Sequence, residues 1–123
     1  MLRKIGIALT AVLLLAGCSK GSLELSVTDD SRAEVILENT GKDSSASAGS
    51  IHVSEEERVV IAPDLSKGEI NIMLKDAAGN IGLNEVISGK EAGDYEVSPG
   101  TYEVTVSTLS KSAGTIALTV ETK

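Results

Sequence analysis

The sequence predicts an all-β protein, a single antiparallel β-sandwich of seven to nine strands. Three observations predict it: short runs in which apolar and polar residues alternate with period two, turn residues that recur between those runs, and the absence of any apolar stretch at helical spacing beyond a leader. A chain of 123 residues is long enough for one domain and too short for two with separate cores. With two Tyr, no Trp and no Phe among 41% apolar residues, the core has to be built from Ile, Leu, Val and Ala.

The first element is a leader. Arg3 and Lys4 form a basic start, Ile5 to Ala16 form an apolar run of 12 residues, and small residues lead to Cys18, the only cysteine. Twelve residues rise about 18 Å as a helix, short of a hydrocarbon core of roughly 30 Å, so a secretion signal is expected rather than a permanent span. Leu15-Ala16-Gly17-Cys18 resembles the lipobox of bacterial lipoproteins. The resemblance implies that the Cys18 sulfur is alkylated with diacylglycerol and that the signal is cut between Gly17 and Cys18. One acyl chain holds a protein to a membrane only marginally, whereas two anchor it stably. The expected organisation is a signal peptide at 1–17, a lipidated tether at 18–22 and a sandwich domain at 23–123.

Without Arg3 and Lys4, nine basic residues face 18 acidic ones, a net charge of −9 for the mature chain. Such a domain is repelled by anionic headgroups and is expected to stand away from the bilayer on its tether. With the one sulfur used by the lipid, neither a disulfide nor a thiol-based site remains. The acidic balance argues against nucleic acid, whose phosphates need clustered Lys and Arg.

The strands follow in order. Leu23, Leu25 and Val27 share one face of the first run, and Val35 and Leu37 share one face of the second. Ile51 with Val53, Val59 with Ile61, and Ile70, Ile72 and Leu74 continue the pattern. Tyr102, Val104 and Val106 alternate with Thr and Glu, and Ile116, Leu118 and Val120 close the chain. Turns are expected at 29–31, 39–41, 76–80 and Pro99-Gly100, the last fitting the central positions of a type II turn. The low-complexity stretch 41–50, GKDSSASAGS, reads as a mobile loop, and the only helical candidate, 88–93, is too short to matter. The segments at 38–70 and 98–121 resemble small Gram-positive-type envelope lipoproteins with a β-sandwich domain. The second is also similar to the last hairpin of envelope sandwich modules.

Candidate chemistry is sparse. His52 is the single histidine and is expected to point outward from a strand. Ser50 is read as facing away from it, so that the two do not form a nucleophile and base. Asp29, Asp30, Asp76 and Asn80 at strand ends are weak calcium candidates, a hard-oxygen set without the D-x-[DN]-x-[DN]-G spacing. No catalytic motif and no cofactor are expected, and the chain is not expected to be an enzyme. The expected role is a non-catalytic binding module tied to membrane lipid through Cys18 on the extracytoplasmic face, with an envelope protein or glycan as partner. The alternative is a structural or assembly component that pairs through a sheet edge.

Overall fold

Period-two alternation buries one face of each strand, and two such faces closed on each other make the core. The computed structural model describes residues 13–14 and 22–123. Its strands are β1 (Leu13–Leu14), β2 (Ser22–Asp29), β3 (Arg32–Thr40), β4 (Ser45–Val53), β5 (Glu57–Lys67), β6 (Glu69–Lys75), β7 (Ile81–Ser88), β8 (Gly93–Tyr95), β9 (Gly100–Thr108) and β10 (Ser112–Thr122). They form two sheets, β1-β2-β3-β10-β5-β8 and β4-β9-β6-β7, in which all pairings are antiparallel. After the β2–β3 hairpin the chain passes repeatedly between the sheets, so each layer depends on the other for its connections.

The core is aliphatic, as the composition requires. Its buried hydrophobic residues run from Leu23 to Leu118, and Ile51, Val53, Val59, Ile70, Leu74 and Val106 are fully enclosed. Of the residues named from alternation, Val120 alone is partly buried. The remaining lipoprotein expectations, including Gly17, Cys18 and the leader apart from Leu13–Leu14, lie outside the described residues.

Three local expectations are corrected, and one strand is longer than its apolar positions show. The stretch read as a loop is largely β4: from Ser45 onward it pairs with β9, and Ala46 and Ala48 are buried. Alanine gives a weak apolar signal, and the alternation Ser-Ala-Ser-Ala is concealed by its serine content. The strand that carries Val59 and Ile61 is longer than those two positions show, running from Glu57 through Pro63 to Lys67. Pro63 is opposite Ile116 of β10, while β8 on the other side reaches only Val59, Val60 and Ile61, so the missing N–H of Pro63 costs no ladder bond there. Gly100 is the first residue of β9, paired with Val53, and its φ of 158° is far from the roughly +80° of a type II turn. Finally, β9 and β10 are not a hairpin, because they belong to different sheets.

Three strands had no counterpart in the sequence reading: β1 falls within the stretch read as a leader, and β7 and β8 lie in the domain. In β7 the extra residue Gly82 shifts the register between Leu83, opposite Leu74, and Ile81, opposite Lys75, which breaks the alternation. β8 is only three residues long.

Candidate binding face

The outward side chains of the two sheets differ in kind. On the six-stranded sheet they include Glu24, Glu34, Glu38, Asp64, Asp94 and Glu121, with Arg32 and Arg58 among them. Arg32 reaches Glu34 at 2.9 Å and Arg58 reaches Asp94 at 3.4 Å. This side carries much of the acidic charge.

The outer face of the four-stranded sheet centres on short, uncharged hydrogen-bonding groups, with Glu69, Lys75 and Glu103 as its charged positions and Met73 and the exposed Val86 among its apolar ones. The register sets Ser107 between Ser45 and Asn71, and Thr105 between Ser47 and Met73. Further along, Glu103 lies between Ser50 and Lys75, and His52 is beside Thr101. Neighbours fix one another: Ser47 Oγ lies 2.9 Å from Thr105 Oγ1, His52 Nδ1 lies 2.9 Å from Thr101 Oγ1, and Asn71 Nδ2 donates to Asn84 Oδ1 at 2.6 Å.

Ser50 and His52 stand on the same face, contrary to the expectation that they oppose each other. They are two residues apart, and Ile51 between them is the one that enters the core. The ring of His52 is engaged with Thr101 rather than set against a carboxylate, and its backbone N–H donates to the Asp30 carbonyl at 2.7 Å.

At one end of this face the sheet is indented. A cleft of about 360 Å³ is lined by Gly49, Ser50, Lys75, Asp76, Ala77, Thr101 and Glu103. Two irregularities lie at its level: Gly49 is an extra residue in β4 between Ala48 and Ser50, and Gly82 is an extra residue in β7 across from Leu74 and Lys75. Bulges increase the local twist and re-aim side chains, and the Gly49 bulge is itself part of the cleft's lining. Gly49 is required there. Its φ is +47°, and an added Cβ would sit 2.7 Å from Val27 Cβ. Composition alone could not have located the cleft, because no residue in its lining is unusual; the Ala48-Gly49-Ser50 break in alternation is the one sequence signal.

The acidic candidates have local employment. Asp76 Oδ1 accepts from the backbone N–H groups of Ala78 and Asn80, both at 2.9 Å, and Oδ2 accepts from Asn80 Nδ2 at 3.2 Å. These bonds, first of all the one from the Asn80 backbone, hold the exposed Asp76 carboxyl below its ordinary value. Asp29 Oδ1 accepts from both Ser31 N and Ser31 Oγ, which shapes the β2–β3 turn. Among the described residues no group of three or more His, Cys, Asp or Glu side chains is arranged to hold a metal ion. Elsewhere, burial and then the Glu85 charge raise the Tyr95 hydroxyl above its usual range, at the side of the sandwich where β7 and β8 lie.

No family model and no curated protein sequence matches the chain. Among solved structures, the Drosophila melanogaster CENP-C cupin domain is similar over 97% of this chain and 84% of its own, at 6% identity and a TM-score of 0.40. A structure described as "CBM4 structure and function" is similar over 87% and 81%, at 12% identity and 0.46. Lactobacillus farciminis oxalate decarboxylase matches over 98% of this chain and 35% of its own, at 10% identity and 0.42. These are likenesses of a two-sheet β fold, and they carry nothing about activity.

Proposed function

We propose that the chain is a lipid-anchored, non-catalytic binding module of the bacterial envelope, held through Cys18 on the extracytoplasmic side, whose recognition surface is the outer face of the four-stranded sheet. The observation that carries the binding reading is the contrast between the two outer faces. Solubility is served by the acidic side. The other side presents Ser, Thr and Asn side chains already bonded to one another and a cleft at its end. Short side chains lose little rotamer entropy when a ligand orders them, and paired hydroxyls offer both donors and acceptors at fixed positions. A neutral, hydroxyl-rich ligand such as a glycan segment suits such a surface, with Lys75 and Glu103 lining the cleft at its end. The leader supports the anchoring half of the reading: its basic start, its short apolar run and Leu15-Ala16-Gly17-Cys18 agree with a lipoprotein signal.

Residues 19–123 contain the whole described core and provide the test. Titration with a panel of envelope glycans, followed by amide NMR, should shift Ser47, Ser50, His52, Thr101 and Thr105 together. A ligand selective for the folded state should also raise the melting temperature. Shifts confined to the acidic face, or none across the panel at millimolar glycan, would reject this surface as the recognition site.

A further inference from the structure

We propose that β2 is a strand-accepting edge and that, in the mature chain, the β2 of a second copy pairs with it antiparallel. The proposal rests on removal of the leader before Cys18, and with it β1. The sandwich then has four edge strands among the described residues: β2 and β8 in one sheet, β4 and β7 in the other.

Three of these are guarded in the ways that edges usually are. β8 has three residues. β7 is bulged at Gly82 and sets the charged Glu85 opposite the buried Ile72. β4 is interrupted at Gly49. β2 is different: it pairs with β3 without irregularity from Ser22 to Val27, and the register shifts only between Val27 and Asp29. The structure also shows this edge taking a strand, since Leu13 and Leu14 pair antiparallel with Leu25 and Glu24.

The side chains choose a register for self-pairing. With Leu25 on the two-fold axis, Leu23 faces Val27 on the inner side and Glu24 faces Ser26 on the outer side. An axis at Glu24 would set two carboxylates against each other, and an axis at Ser26 would set Leu23 against Asp29. Tethering both copies to one membrane raises their effective concentration, so a weak contact suffices.

Residues 19–123 are examined by sedimentation equilibrium from micromolar to millimolar concentration, with amide hydrogen exchange at both ends of the range. The expected result is a monomer–dimer equilibrium in which exchange at residues 23–27 slows as concentration rises. Ser26→Glu places like charges opposite Glu24 twice per dimer and should weaken association about tenfold, while Ser26→Lys should preserve or tighten it. Ser26 is also opposite Glu34 within its own chain, so thermal melts of both variants separate loss of pairing from loss of fold. A monomer at millimolar concentration, a dimer protected at a different strand, or a dimer indifferent to both substitutions would overturn the proposal. Retention of the leader in the native host would be seen by mass spectrometry and would defeat the anchoring reading while leaving the behaviour of 19–123 unchanged.

Discussion

Replacing Gly49 with alanine perturbs the one residue on which both the β4 bulge and the neighbouring cleft depend. Two costs follow from the structure. A non-glycine residue at φ +47° costs about 1 kcal/mol. The new Cβ would lie 2.7 Å from Val27 Cβ and within about van der Waals overlap of both Val27 methyl groups, at 3.0 and 3.1 Å, in a site where Val27 is 1% exposed. Overpacking of that kind costs about 2 kcal/mol. The expected total is about 3 kcal/mol, or a melting temperature lower by about 12–24 °C for a domain of this size. Gly89→Ala is the matched control, because Gly89 has φ +71° and nothing within 4 Å of its added Cβ. It should show the backbone cost alone, about 1 kcal/mol. Urea titration of residues 19–123 measures both, and Val27→Ala in the Gly49→Ala background should cost less than in the parent because it relieves the overlap. Equal destabilisation by Gly49→Ala and Gly89→Ala would refute the packing argument.

Other outcomes follow from the hydrogen bonds. Thr108, 1% exposed, donates from Oγ1 to the Gly41 carbonyl at 2.6 Å and accepts from Ser44 N at 2.9 Å. Thr108→Val should therefore destabilise by about 1–3 kcal/mol in chemical denaturation, with Thr108→Ser milder. The Asp76 carboxyl should titrate below 3.8 by carbon NMR, because it accepts from the Asn80 and Ala78 backbone. Since its folded value lies below its unfolded one, the stability it contributes is present above the unfolded value and is lost as pH falls through the folded value. Asp76→Asn should accordingly flatten the acid limb of a stability-versus-pH curve. Tyr95 should titrate above its usual range in ultraviolet absorbance, and Glu85→Gln should bring it part of the way back.

Much of the fold was legible because a sandwich core needs only that alternation be kept. Leu23, Leu25 and Val27, or Ile70, Ile72 and Leu74, declare a buried face without reference to any other strand. Illegibility began where alternation was carried by weak residues or broken by a bulge. Ala46 and Ala48 are core residues too small to stand out from their serine neighbours, and Gly82 conceals the strand that carries Leu83 and Ile87. The assignment of strands to sheets was hidden as well. Nothing local in the sequence separates β9 from β10 into different layers, since that follows from long-range pairing with β6 and β5. The candidate face was illegible for a related reason: Ser47, Ser50, His52, Thr101 and Thr105 are ordinary outward residues until register brings two distant segments side by side.

The central claim is that one sulfur ties this sandwich to the envelope, and intact-mass analysis of the protein extracted from its native host's membranes tests it most directly. The account predicts a polypeptide beginning at Cys18 and carrying a diacylglyceryl group. A full-length chain with an unmodified thiol, or a species released from the membrane without lipid, would contradict it.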